Sequence, residues 1–314
     1  MDFQHEPVLL QEVLQWMNIQ GGGVYCDGTL GGGGHSEAIL RESGGTASIY
    51  GIDRDETAII AATERLKKFP GFHAIRGNFH DGKALLEKNG AGPLDGILLD
   101  LGVSSPQLDI PERGFSYHTD APLDMRMDQS SGITAAEYLN NADEQELTRV
   151  IRDYGEEKWA ARIAKIICEH RKEKPLKTTF DLVKAIDAAI PKAVRRKDES
   201  HPARRTFQAI RIAVNDELAP LEQAIKDFVT CLKPGGRICV ITFHSLEDRI
   251  VKNCFRALEH PCICPPKAPI CTCGRKPSLK VLAGGVIGPS AGETERNPRS
   301  RSAKLRVAEK IGEA

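Results

Sequence analysis

The sequence predicts an α/β protein: a parallel, doubly wound sheet interrupted by a helical insertion. Three observations carry this reading. Through the first hundred residues, short apolar runs alternate with helix-like segments, as strands do when helices cross between them. Three of those runs end in an aspartate: Asp27, Asp53 and Asp100. The next convincing strand, Arg237 to Phe243, follows only after more than 130 residues, whereas a crossover needs about a dozen, usually one helix.

The elements follow in order. Val8 to Met17 patterns as a helix, and Gly23-Val-Tyr-Cys-Asp27 as a short buried strand. A glycine run and a helix from about Ser36 come next. Ser48 to Asp53 is the second strand, Glu56 to Phe69 a helix, His73 to Arg76 a weak third strand, and Leu94 to Asp100 the fourth. Ligands of such sheets sit beyond the carboxyl ends of the strands, where the three aspartates fall. In the long interval, Asp143-x-x-Glu146 resembles a capping box. Glu156 to His170 sets Trp159, Ile163, Ile166 and Ile167 on one side, and Thr179 to Ile190 and Ala203 to Leu232 read as further helices. Residues 109–212 are therefore assigned to an inserted helical domain expected to recognise substrate, and 1–108 with 213–314 to the sheet domain. After the turn Lys233-Pro-Gly-Gly236, the segments Leu279 to Leu282 and Ala303 to Ala308 are expected to close the sheet as an antiparallel pair.

Composition excludes several classes. At 314 residues, 40% hydrophobic and 27% charged, the chain is neither disordered nor a disulfide-stapled mini-protein. The longest strictly apolar run, Ala58 to Ala62, is five residues, too short to span a bilayer. The start, MDFQHEPVLL, has no basic segment followed by an apolar core, so a cytoplasmic protein with no membrane partner is expected. Its nine cysteines should then be thiols or metal ligands. Net charge is zero, but Lys192 to Arg211 carries seven basic and two acidic residues, and Arg275 to Lys310 nine and three. Two such segments suit a phosphate-binding patch; solvated surface is the alternative.

The segment Asp27-Gly-Thr-Leu-Gly-Gly-Gly-Gly-His35 follows a strand and opens a helix. Its spacing does not fit G-x-G-x-x-G, and it lacks the Gly-Lys-Ser/Thr ending of a P-loop. What fits is a strand-ending acid, then Gly31 and Gly33, then Asp53 twenty residues after Gly33. A carboxylate there suits a ribose diol, and the missing phosphate grip suits a ligand without phosphates, such as S-adenosylmethionine. A glycine-rich connector with no ligand is the alternative.

These residues carry a specific resemblance. The chain resembles the bacterial ribosomal RNA small subunit methyltransferase H family in His5-Glu-Pro-Val-Leu-Leu10, the loop from Asp27 to Ser36, Gly51-Ile-Asp-Arg-Asp55, and Asp95 to Leu108. It continues to do so in Arg113-Gly-Phe-Ser116, Pro122 to Asp128, Tyr154-Gly-Glu-Glu157, Arg205 to Ile212, Thr242 to Lys252 and Arg299 to Arg306. The matches run in order along nearly the whole chain. The resemblance implies a class I, Rossmann-like S-adenosylmethionine-dependent methyltransferase sheet with a helical insertion. It also implies methylation of N4 of a cytidine in the decoding region of 16S rRNA, with the 30S subunit as the expected partner. Oligomeric state is left open, a homodimer included. The cofactor contacts implied are Gly33, Gly34 and His35 in the loop, Asp53 on the ribose, Phe79 beside the adenine, and Asp100 and Gln107 completing the pocket. Structural alternatives stand beside them: Phe79 as a core aromatic, His35 as a loop terminator, Asp100 as a helix cap.

The chemistry asks for acceptors near the target. The N4 lone pair is delocalised into the ring, and the nitrogen gains positive charge as it attacks, so acceptors on its N–H bonds stabilise the change. Asp100-Leu-Gly-Val-Ser-Ser-Pro106 occupies the turn after the fourth strand, which makes Asp100 the expected catalytic residue. Gln107 stands where related amino-methyltransferases carry an aromatic, so Phe115 or Tyr117 is a candidate stacking face; buried packing is the alternative. Methylation at cytosine C5 would need a cysteine nucleophile. The nearest candidates, Cys231 and Cys262, follow neither the fourth nor the fifth strand directly. A non-enzymatic RNA-binding factor is disfavoured by the three aspartates standing in register.

Cys262-x-Cys264 and Cys271-x-Cys273 place four thiols in twelve residues. Four thiolates suit tetrahedral zinc, but C-x-C pairs are a weaker signal than C-x-x-C, and Pro261, Pro265, Pro266 and Pro269 restrict the loop. A cysteine-rich surface loop is the alternative, and no metal ligand is assigned from the sequence.

Overall fold

Seven strands form one sheet: β1 Val24–Asp27, β2 Ser48–Asp53, β3 Phe72–Arg76, β4 Leu94–Asp100, β5 Leu232–Thr242, β6 Leu279–Val281 and β7 Lys304–Lys310. The computed structural model describes residues 7–192, 201–265, 270–284 and 286–312. His5 and Glu6 of the first motif, and Arg195, Arg196 and Lys197 of the first basic segment, lie outside the described residues. The strand order is β3-β2-β1-β4-β5-β7-β6. Neighbours from β3 to β5 are parallel, and β7 is antiparallel to both β5 and β6. The order reverses between β1 and β4, which opens a crevice at their carboxyl ends.

The central strands are apolar on both faces because helices cover both. Ile97 and Leu99 of β4, with Ile238 and Val240 of β5, pack with Phe228 and Phe255. Leu98, Cys239 and Ile241 point the other way and pack with Leu9, Val13 and Ile39. The period-2 alternation of a strand thus feeds two separate cores.

The chain divides into two compact units: Met1–Gly102 with Leu218–Ala314, and Val103–Glu217. The divisions fall a few residues from those expected at 109 and 212. The second unit has its own core, with Leu123, Met125, Leu147, Ile151, Ile163, Ile167 and Phe207 among its buried residues. Among the described residues, no helix is long and apolar enough to cross a membrane.

Some boundaries differ from expectation. The helix expected from Glu156 begins at Ala160, because Glu156 has φ +49° and cannot continue a right-handed turn. The stretch Ala203 to Leu232 is two helices, Arg204–Asn215 and Leu221–Cys231, broken where Asp216 adopts φ +47°. The turn Lys233 to Gly236 lies within β5: Leu232 pairs with Leu94 and Arg237 with Gly96, so the residues between bulge outward. The helices Gly82–Lys88 and Ser245–Glu259 were not singled out by periodicity. The closing pair β6–β7 forms as expected.

Candidate active site

The loop after β1 is stitched across the carboxyl edge of the sheet. Gly28 N–H donates to the Leu98 carbonyl of β4 at 2.8 Å, and Leu30 N–H to the Ile52 carbonyl of β2 at 2.9 Å. The Asp100 N–H donates to Thr29 Oγ1 at 2.6 Å. One loop therefore ties together the ends of three strands. Gly31 and Gly33 have φ +50° and +74°, left-handed values that disfavour any side chain. Gly34 is glycine for a different reason: a Cβ there would lie 2.6 Å from Pro7 Cγ.

Asp27 is 2% exposed. It accepts from Ser36 Oγ at 2.7 Å and from Thr29 N–H at 3.3 Å. Burial pushes its carboxyl up to about 6 despite those bonds. Asp53 accepts from Gly31 N–H at 2.8 Å and from Asp55 N–H at 2.9 Å. It anchors the loop as well as ending β2, and each oxygen keeps a lone pair for a further donor. Burial raises its carboxyl too.

Asp100 stands at the end of β4. Burial, then the neighbouring charges of Asp27 and Glu247, hold its carboxyl well above the usual range. Its Oδ1 is buried and has no hydrogen-bond partner among the described residues. His35 Nδ1 lies 3.7 Å from the other oxygen. The second ring nitrogen, Nε2, meets the Val8 carbonyl at 2.9 Å. Burial holds this imidazole down to about 4, so the ring is neutral at pH 7. A carbonyl only accepts, hence Nε2 carries the proton and Nδ1 is a bare acceptor facing Asp100.

The remaining sequence-derived residues fall as follows. Phe79, half-buried in the short turn Phe79–Asp81, packs on the core and approaches Gly28 closely: a Cβ on Gly28 would lie 3.5 Å from Phe79 Cβ. Gln107 belongs to the second unit, in the helix Ser105–Asp109, where its Oε1 accepts from Ser104 N–H at 3.0 Å. A cofactor contact from Gln107 is therefore a proposal to be tested by substitution. Phe115 is 6% exposed within the core of the second unit, so burial rather than stacking describes it. Tyr117 stacks on His201 with centroids 4.6 Å apart and 17° between planes.

Sequence reasoning left Thr29, Ser36 and Glu247 unassigned. Thr29 and Ser36 lie inside the quoted loop, where the hydroxyls were the available signal. Glu247 is buried, and its Oε2 accepts from Phe243 N–H at 2.9 Å beyond β5. Its signal was the run Thr242-Phe-His-Ser-Leu-Glu247, matched as a motif without a role. Part of the second basic segment is internally neutralised: Asp248 accepts from Arg306 at 2.7 and 3.1 Å and from Lys304 at 3.3 Å. In the first basic segment, Arg211 pairs with Glu217 at 2.8 and 2.9 Å. Cys231 ends a helix before β5, away from the carboxyl edge, and Cys262 lies beyond the helix Ser245–Glu259. Neither is placed as a C5 nucleophile.

A sheet of this order, with an antiparallel β7, a glycine loop after β1 and an acid ending β2, defines the class I S-adenosylmethionine-dependent methyltransferases. The residues suit that cofactor: crowded carboxylates, Asp27 buried and Asp53 and Asp100 half-buried, gain from a cationic, phosphate-free ligand, and Asp100 Oδ1 has no donor among the described residues. The chain belongs to the MraW methylase family, whose profile matches residues 2–311. It is 50% identical to the Ribosomal RNA small subunit methyltransferase H of Halothermothrix orenii, over 98% of this chain and 99% of that one. It is 51% identical to the proteins of the same name from Trichlorobacter lovleyi (99% of each chain) and Symbiobacterium thermophilum (99% of this chain, 98% of that one). Among solved structures, an rRNA methylase from Streptococcus thermophilus aligns with a TM-score of 0.39 at 11% identity, covering 97% of this chain and 93% of that one.

Proposed function

We propose that this protein methylates N4 of a cytidine in the decoding region of 16S rRNA, in the cytoplasm and on the 30S subunit. The observation that carries the reading is Asp100: a half-buried carboxyl at the end of β4 with one buried oxygen left without a partner among the described residues, beside a neutral histidine. The names of the relatives support rRNA as the substrate.

When bound, S-adenosylmethionine supplies an electrophilic methyl on sulfonium sulfur. Asp53 would accept from the ribose hydroxyls, Gly33 and Gly34 would let the loop backbone come close, His35 would back the loop, and Phe79 and Gln107 would complete the adenosine pocket. Asp100 accepts from an N4–H of the target base and stabilises the charge that nitrogen acquires. A cation nearby favours the ionised form of Asp100, which then receives the proton lost from N4. His35 Nδ1, held as an acceptor by the Val8 bond, keeps Asp100 from gaining a competing donor. The base must leave its stack to reach the methyl group, and the helical unit 103–217 is assigned to holding the RNA.

The test is nucleoside analysis of small-subunit particles incubated with the protein and labelled cofactor. The expected product is N4-methylcytidine, which separates chromatographically from C5-methylcytidine of equal mass. Methyl label on C5, on ribose or on protein would overturn the proposal.

A further inference from the structure

Four cysteines stand apart from the site. The other five are buried or half-buried singles. Cys262, Cys264, Cys271 and Cys273 converge in the segment between the helix Ser245–Glu259 and β6. Their Sγ atoms lie 3.7 Å apart for Cys262–Cys271, 3.9 Å for Cys264–Cys271, 3.6 Å for Cys271–Cys273 and 3.8 Å for Cys262–Cys273. All four fall within 4.8 Å of one another.

We propose that these four sulfurs bind one structural zinc ion. Four thiolates at a zinc–sulfur distance of about 2.3 Å sit on a tetrahedron whose edges are about 3.8 Å. The observed separations scatter closely around that edge. Two disulfides would instead sort the sulfurs into two close pairs, whereas Cys271 is nearly equidistant from all three others. A two-iron cluster would hold the pairs on different irons, spreading them further than one ion requires.

The surroundings fit a closed structural site. Thr272 N–H donates to Cys264 Sγ at 3.3 Å, an outer bond that orients a ligand and offsets thiolate charge. Gly274 has φ +64° and turns the chain directly after Cys273. The segment has no core of its own: from 261 to 277 no described residue is buried, and Ile263 and Ile270 are 67% and 75% exposed. Both ends are nonetheless tied down. Ser278 N–H donates to the Leu258 carbonyl at 3.0 Å, and Val281 N–H to Glu259 Oε1 at 2.9 Å. A segment closed at its ends and lacking apolar packing needs another source of order, and a metal supplies it in small elements without a core. Binding four thiols releases their protons to solvent, with no change of oxidation state.

The test uses the full chain, purified under reducing conditions without a metal-binding tag. Elemental analysis should find about one zinc per chain. Cobalt(II) exchanged into the site should give the visible bands of a tetrahedral tetrathiolate. Cys264→Ser and Cys271→Ser should each lose most of the zinc and the cobalt bands. S-adenosylmethionine affinity, by calorimetry, should stay at the wild-type value in both variants, since neither residue belongs to the loop after β1. That readout keeps this proposal separate from the assigned reaction. Wild-type protein that takes up no metal when offered zinc sulfate would overturn it. So would iron in place of zinc, or variants that retain full zinc.

Discussion

His35 Nδ1 faces Asp100 Oδ2 across 3.7 Å, and the His35–Val8 contact makes that nitrogen an acceptor. With its carboxyl raised well above the usual range, Asp100 ionises there only with difficulty; once ionised, it sets two acceptors face to face at the carboxyl end of β4. The arrangement costs folding energy, because a charged Asp100 is desolvated and its Oδ1 is left without a donor. A group held this way performs its work when a donor or a cation arrives.

Asp100→Asn keeps the shape and removes the charge. Turnover should fall about 100-fold or more, the scale of losing one preorganised stabiliser. Thermal stability should hold or rise, since a strained carboxylate is gone. Thermal melts and single-turnover rates on the same preparation check this. Near-normal methyl transfer would remove Asp100 from catalysis.

Asp53→Ala should weaken S-adenosylmethionine binding by about 1.5–3 kcal/mol, the scale of bonds to a charged acceptor. The loss has two sources, the ribose contact and the freed Gly31 N–H. Calorimetry measures the sum. Comparison with Gly31→Ala, which strains the loop at φ +50° but keeps the carboxylate, separates them. Unchanged affinity in a folded Asp53→Ala would exclude the ribose role.

Stability against pH carries opposed contributions, and those of His35 and Asp27 fall in the same window. His35 is depressed to about 4 in the fold from about 6.5 unfolded. Its contribution is complete above pH 6.5 and is lost as pH falls toward 4. Asp27 is raised to about 6 from about 3.9 unfolded, so its contribution is complete at low pH and is lost as pH rises toward 6. In the wild type these two oppose each other across this window, with the raised carboxyls of Asp53 and Asp100 acting in the same sense as Asp27. Asp27→Asn removes the second, so the cofactor-free variant should lose stability on acidification more steeply than wild type, by up to about 1.4 kcal/mol per pH unit. Denaturant melts from pH 4 to 6.5 read the slope, and parallel curves would show that Asp27 does not titrate there.

The two basic segments are tested separately. Arg306→Ala breaks a two-bond pair with Asp248 and should cost about 1–3 kcal/mol of stability with little change in the salt dependence of RNA binding. Neutralising Arg195, Arg196 and Lys197 together should flatten that dependence by about two units of slope and leave cofactor affinity alone. Filter binding across a salt series decides, and an unchanged slope would mean that these three charges are merely solvated.

The sequence by itself determined the parallel sheet, the place of the insertion and the three acidic strand ends. Each rests on a local rule: strand and helix periodicity, the length of a crossover, and glycine after a strand. Only the tertiary structure decided what those residues face. That Asp53 anchors Gly31, that Gly34 is small because of Pro7, and that Glu247 perturbs Asp100 are contacts between segments distant in sequence, invisible to periodicity. The fate of individual charges and rings was likewise decided in three dimensions. In the sequence Arg306 and Arg211 stand open between phosphate contact and solvated surface, and Phe115 between stacking and packing; the structure sets Asp248 and Glu217 beside the arginines and buries the ring. The cysteine pairs show the division most sharply. Spacing alone favours a plain surface loop over a metal site, because C-x-C does not dictate where a sulfur points. The folded backbone brings the four sulfurs within 4.8 Å of one another.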